Sequence, residues 1–240
     1  MAWHQELLIG FDLETTGTDP YEARIVTGAV VEVEDGRRRG HREWLADPGV
    51  EIPADAVAVH GISNERAAAE GEPADRVADA IAEALVSYWK TGVPVVAYNA
   101  TFDLTLLSAE LRRHGLPSLR DRLGGVDPAP VIDPYTIDRW VDRYRRGKRT
   151  LEAVCTEYGV ALDAAHDAGA DALAAARLAG AIARRHPKVA ALGPAELHRR
   201  QIEWYAAWAA DFQSFLRRKG DAGAVVDGTW PLRQAADQTV

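Results

Sequence analysis

Three short segments place carboxylates and a histidine where they could do chemistry. The first is Phe11-Asp12-Leu13-Glu14-Thr15-Thr16-Gly17, which follows an apolar run. On a strand, residues two apart face the same side, so Asp12 and Glu14 project together. Two close carboxylates repel, and one keeps its proton unless a cation lies between them. A hard divalent ion such as magnesium or manganese is the natural partner for such oxygens. An acidic strand end leading into a turn accounts for the same pair without any ion. The second segment is Tyr98-Asn99-Ala100-Thr101-Phe102-Asp103, where a buried strand enters a helix. The helix dipole alone favours a carboxylate at Asp103, in the first turn. The third is His166-Asp167-Ala168-Gly169-Ala170-Asp171, which opens a late helix with His166 on the loop before it. A lone histidine beside acids is commonly a solvated surface group. Beside a metal site an imidazole becomes a candidate general base, because histidine ordinarily titrates near neutrality.

The surrounding elements must bring these segments together. Glu6 to Leu13 and Arg24 to Glu34 read as strands, apolar and β-branched, and Asp35-Gly36 is a hairpin turn signal into a third, more polar strand from Arg37 to Leu45. Val50 to Ala69 reads as turns and short helices. Pro73 to Lys90 is an amphipathic helix with Val77, Ile81, Leu85 and Tyr88 at helical spacing and Gly92 at its stop. Val93 to Tyr98 and Pro130 to Asp133 read as short buried strands. Helices follow at Thr101 to His114, Pro134 to Arg145, Thr150 to Tyr158 and Gly169 to Arg185. Hairpin-joined strands followed by strands alternating with helices predict an α/β fold: a mixed five-stranded sheet flanked by helices. The composition changes after Pro187, which divides the chain into a main domain, residues 1–186, and a helical extension and tail, 187–240. Pro194 to Lys219 is expected to form one long helix whose stripe of Trp204, Tyr205, Trp208, Phe212 and Phe215 packs on the main domain or on a partner. The last twenty residues are expected to be loosely ordered, with Trp230 as the candidate tether.

Composition narrows the classes. The 240 residues carry 28 basic and 36 acidic side chains, a formal charge of −8. Binders of polyanions usually carry a basic balance, so the net figure points away from nucleic acid unless positive charge is gathered locally. It is gathered at Arg139, Arg143, Arg145, Arg146, Lys148 and Arg149, a run expected to track a strand. A second group, Arg199, Arg200, Arg217, Arg218 and Lys219, flanks the aromatic helix and reads first as a solvated face. The single cysteine, Cys155, excludes an intramolecular disulfide framework and a thiolate zinc cluster. No signal peptide and no membrane span are visible, and a cytoplasmic location is expected.

Taken in order, D-x-E after the first strand, N-x-x-x-D at a strand-to-helix junction and H-x-x-x-x-D at a late helix resemble the DEDDh family of 3′→5′ exonucleases. This is the class of the proofreading epsilon subunit of bacterial DNA polymerase III. The likeness runs from Leu7 to about Ile182. It implies an RNase H-like fold, two divalent ions, Mg2+ or Mn2+, held by Asp12, Glu14, Asp103 and Asp171, and His166 as the general base. It also implies stepwise hydrolysis that releases nucleoside 5′-monophosphates. Thr15, His60, Asn99 and Phe102 fall where the family meets the 3′-terminal nucleotide, although His60, in His60-Gly61-Ile62, also reads as a helix-end cap. The related tyrosine subclass has tyrosine where Ala168 stands. Tyr98 departs from the histidine that many relatives carry there, which touches substrate detail and none of the proposed ligands.

The resemblance leaves alternatives. The expected partner is a nucleic-acid 3′ end, foremost single-stranded DNA, with no membrane. An RNA exonuclease of the same fold would carry the same motifs, since the metal ligands do not read the 2′-hydroxyl. A catalytically silent domain that binds nucleic-acid ends or a polymerase is the alternative outside enzymes, as is a module that self-associates through helix 194–219. No polymerase-sized region is present, so proofreading would call for a separate partner, and repair and general turnover fit equally.

Overall fold

The computed structural model of the chain describes residues 2–162 and 166–233. β1 (Leu7–Thr15) alternates cleanly. Ile9, Phe11 and Leu13 join one buried cluster, and Leu8 joins another across the sheet. Glu14 therefore lies inside the strand, which runs two residues beyond the expected end. β2 (Ile25–Glu34) and β3 (Arg37–Asp47) complete an antiparallel meander. Asp35 and Gly36 both adopt positive φ, 50° and 72°, the conformation a tight right-twisted hairpin needs.

β4 (Glu72–Pro73), β5 (Val95–Val96) and β6 (Val131–Ile132) are two-residue strands. The sheet order is β4-β3-β2-β1-β5-β6, with β5 parallel to both β1 and β6. Among the described residues the mixed sheet thus has six strands, where five were expected. β4 is too short for any alternation to be visible in sequence, and its proline suits an edge. β5 and β6 are shorter than expected because Pro94 and Pro130 offer carbonyls, to Ile9 and Val95, but have no N–H to donate.

Helices cover both faces. α1 (Ala54–His60) and α2 (Asn64–Glu70) lie beyond β3, and α3 (Ala74–Lys90) packs Val77, Ile81, Leu85 and Trp89 into the first cluster with α4 (Ala100–Arg113). Tyr88, expected in that row, packs against the same cluster and sends its hydroxyl to Glu32 at 2.6 Å. After the short α5 (Leu119–Arg122) come α6 (Pro134–Val141), α7 (Leu151–Tyr158), α8 (Ala168–Arg185), α9 (Pro187–Ala190) and α10 (Pro194–Arg218). α8 is alanine-rich, and its small side chains let it lie close on β1. A Cβ added to Gly10 would sit 2.2 Å from the Ala172 carbonyl oxygen. Among the described residues, no helix is long and apolar enough to cross a membrane.

α10 is joined to the sheet by polar contacts as well as apolar ones. The Val131 N–H donates to His198 Nδ1 at 3.1 Å, and the Asp133 N–H to Gln201 Oε1 at 2.7 Å. The tail is held rather than loose. Trp230 is buried, and its indole N–H donates to Asp133 Oδ2 at 3.3 Å. The Arg233 N–H donates to Thr105 Oγ1 at 3.0 Å. Trp230 is thus the tether expected, and the expectation of a loose tail is corrected where Trp230 and Arg233 are bonded; residues 234–240 lie outside the described residues.

Candidate active site

β1, β5 and β6 run parallel, so their C-terminal ends share one edge of the sheet. There the chain places Asp12 and Glu14 at the end of β1, Asn99 to Asp103 at the start of α4, and His166 to Asp171 at the start of α8. Asp12 and Glu14 share the β1 face of Gly10, the face against which α8 lies. The close approach at Gly10 is therefore what sets Asp171 beside them.

The electrostatics express this crowding. Burial holds the Asp12 carboxyl well above the ordinary carboxylate range, reinforced by the charges of Asp103, Asp171 and Glu14. Glu14 is pushed up to about 7 by burial, with Asp171 and Asp167 adding to it. Burial also raises Asp103, against the opposing effect of backbone donors, one of them the Leu13 N–H at 3.2 Å from Oδ1. Asp171 is raised by burial and eased by the His166 N–H, 3.3 Å from Oδ2, while its Oδ1 is buried without a hydrogen-bond partner among the described residues.

This donor set fits a divalent cation: hard oxygens, mutually repelling, with an orphaned lone pair turned inward. Glu14, His166 and Asp171 each offer an atom within 4.8 Å of the others. That trio differs from the four carboxylates expected. It includes the exposed His166, which adopts φ 65°, and it does not include Asp12 or Asp103.

The other predicted positions divide. His60 lines a cavity of about 250 Å³ together with Glu14, His166, Trp44, Ile62 and Arg66. It also accepts the Ile62 N–H at Nδ1, 3.1 Å, just past the end of α1, where Gly61 is the C-cap. Thr15, Asn99 and Phe102 do not line that cavity. The Thr15 hydroxyl donates to the Gly17 carbonyl at 2.7 Å, and Phe102 packs on the core. Asn99 sits in the left-handed region, φ 63° and ψ 49°, which asparagine tolerates better than most residues.

Asp133 escaped the sequence reading. It is fully buried and accepts the Asn99 N–H at 2.9 Å, the Tyr135 N–H, the Thr136 hydroxyl and the Trp230 indole. Its only sequence mark was the Asp-Pro start of α6, a cap signal. Asp167 was equally plain as the N-cap of α8, accepting from the Ala170 N–H at 2.9 Å.

Part of the Arg139–Arg149 run, expected to track a strand, is engaged within the protein. α6 ends at Val141, and the chain turns back so that Arg145, at 2.6 Å, and Arg149 both meet the buried Asp138. The Arg139 guanidinium lies over Tyr135 and Trp208 at 4.2 and 4.0 Å, and Arg143 pairs with Asp211. Arg146 and Lys148 are exposed.

Comparison with known proteins agrees with this architecture. The chain is 26% identical over 179 residues to a DNA polymerase III PolC-type from Lacticaseibacillus paracasei, covering 75% of this chain and 11% of that protein. It is 30% identical over 169 residues to the PolC-type protein of Streptococcus thermophilus, covering 70% of this chain and 10% of that one. Escherichia coli exonuclease I in complex with a dA16 oligonucleotide superposes with a TM-score of 0.62 at 20% identity, over 78% of this chain and 42% of that one. Exonuclease I from Methylocaldum szegediense gives a TM-score of 0.60 at 24% identity, over 77% and 42%. These structural likenesses are of fold, and the chain spans about a tenth of the polymerase relatives and under half of the exonuclease I chains. Residues 9–179 match the RNase T family, whose description is exonuclease, and by that match the chain belongs to this family of DEDD-type 3′→5′ exonucleases.

Proposed function

We propose that the chain hydrolyses the terminal phosphodiester at nucleic-acid 3′ ends, single-stranded DNA foremost, releasing nucleoside 5′-monophosphates one at a time. The observation that carries this is the gathering of Asp12, Glu14, Asp103 and Asp171 at one sheet edge, each carboxyl raised by burial and that of Asp12 also by the charges of the other three. Family membership supports the reaction class, and the dA16 complex of the exonuclease I neighbour supports a single strand as substrate.

The same four carboxylates would hold two divalent ions, Mg2+ or Mn2+, which when bound supply charge neutralisation at the scissile phosphate and a water acidic enough to react near neutral pH. The rest falls to the chain. His166, exposed at the mouth of the site with an atom within 4.8 Å of Glu14 and Asp171, takes the proton of the attacking water. That water forms a bond to phosphorus as the bond to the penultimate 3′-oxygen breaks. His60, Trp44 and Ile62 line the adjoining cavity, where the terminal nucleotide is received. Thr15, Asn99 and Phe102 complete the proposed substrate contacts. The division into a catalytic region, residues 1–186, and an appended region, 187–240, belongs to the same proposal.

The assay is magnesium- or manganese-dependent release of mononucleotides from labelled single-stranded DNA, duplex DNA and RNA of matched sequence. Asp12→Ala is expected to abolish release. His166→Ala is expected to lose most turnover, roughly 10²-fold or more, while still binding the ion. Wild-type turnover in the Asp12 variant would overturn the assignment, and preference for RNA would redirect the substrate.

A further inference from the structure

The long groove between α6 and α10 lies apart from the carboxylate cluster. Its volume is about 630 Å³, within the range of ligand-sized sites, and its walls include Arg139, Trp140, Tyr144, Trp208, Phe212 and Phe215. Four aromatic residues here are open to solvent: Tyr144 at 85%, Phe215 at 44%, Trp140 at 42% and Phe212 at 39%. The rings are ordered. Trp208 and Phe212 stack at 5.6 Å and 13°, and Phe212 and Phe215 at 6.3 Å and 14°.

A chain of side-chain contacts links the α6 wall of the groove to the start of α4. Tyr98, which precedes Asn99, meets Tyr135 at 5.4 Å, and the Arg139 guanidinium bridges Tyr135 to Trp208. α10 follows the direction of β6, since His198 meets Val131 and Gln201 meets Asp133. It therefore rises toward the sheet edge that carries the carboxylates. From Gln201 it continues to Arg218, roughly 25 Å farther at helical rise.

Charge says what fits. The exposed cations Arg146 and Lys148 follow α6, and Arg217, Arg218 and Lys219 end α10 and follow it. The one acid on the groove wall, Asp211, is paired with Arg143. In a chain of net charge −8, this is local positive charge around stacked aromatic faces, the combination that holds single strands with little regard to sequence. We propose that the groove is a stacking track for the single strand on the 5′ side of the nucleotides being cleaved, with bases on the aromatic faces and phosphates toward the flanking cations. The inference rests on the exonuclease reading of the adjoining site, and its test is separable from that reading.

Binding is measured in EDTA, where no hydrolysis occurs, by quenching of tryptophan fluorescence with dT3 and dT16. The wild type is expected to bind dT16 at least about tenfold more tightly than dT3, and Phe212→Ala/Phe215→Ala is expected to lose that advantage. With magnesium, the double variant should raise KM on dT16 and leave kcat and KM on dT3 unchanged. Tyr144→Ala, at the most exposed ring, is an independent variant expected to act in the same direction. Equal dT16 affinity in wild type and both variants would overturn the track. So would sedimentation showing a wild-type dimer that Phe212→Ala/Phe215→Ala dissociates, which would assign the face to a second copy. Loss of all hydrolysis with length-dependent binding intact would count against the exonuclease reading alone.

Discussion

Glu14 is the residue at which charge and burial are most directly coupled, and where the proposed divalent ion would act. Its carboxyl ionises near 4.5 in the unfolded chain and near 7 in the fold. Between those values the folded state keeps a proton that the unfolded state has released, so stability falls as pH rises through the window. Asp12, Asp103 and Asp171 are raised too and act in the same direction. A divalent cation held among them, as proposed, would offset the penalty, and only where the carboxylates are ionised. The melting temperature without metal should therefore fall from about pH 5 to about pH 7.5, and magnesium or manganese should raise it by a few degrees at the upper pH and little at the lower. Glu14→Gln should flatten both responses. An equal metal effect at the two pH values would contradict a site built from these carboxylates. At this scale the types and spacings of Asp12, Glu14, Asp103 and Asp171 were legible in the sequence, because period-two alternation and strand-to-helix junctions are local. The buried Asp133 was not, since its importance comes from four donors supplied by Asn99, Tyr135, Thr136 and Trp230, the last nearly a hundred residues away.

Elements meet through the closeness of β1 and α8. Gly10 has no positive φ and marks no turn; its role is the absence of a side chain facing the Ala172 carbonyl. Gly10→Ala places a Cβ 2.2 Å from that oxygen, so α8 must move outward. Overpacking of this kind costs about 1–3 kcal/mol. Asp171 starts the same helix, so the variant should lose activity as well as several degrees of melting temperature. Gly17→Ala, where nothing lies within 4 Å of the added carbon, is the control and should match the wild type in both. A stable, fully active Gly10→Ala would show that this approach does not set the position of Asp171. The long elements β1, β2, α3, α8 and α10 were readable from their periodicity. β4, β5 and β6 were blurred or missed because two-residue strands have no period, and their limits are set by partner carbonyls and by Pro94 and Pro130.

Across the whole molecule, the segment after α10 acts as a strap. Trp230 crosses to Asp133, which in turn accepts from Asn99 at the edge of the site. Trp230→Ala should cost about 3–5 kcal/mol through the cavity it leaves and the indole donor it removes. A melting temperature within a degree of wild type would show that the strap does not bear on the fold. The helical extension expected after Pro187 contributes Leu197, Tyr205 and Trp230 to the same buried clusters as the sheet.

The sequence by itself determined which residues could do chemistry and which periodic segments would carry them, because side-chain type and alternation are properties of neighbouring residues. It also determined the resemblance that the family match bears out. Tertiary structure alone decided where charge ends up. The Arg139–Arg149 run looked like a basic path, but Asp138 is buried beneath it and draws in Arg145 and Arg149, and Arg143 pairs with Asp211, which leaves Arg146 and Lys148 as its exposed cations. Burial and long-range pairing set the effective charge of each group, and neither can be read from a sum along the chain.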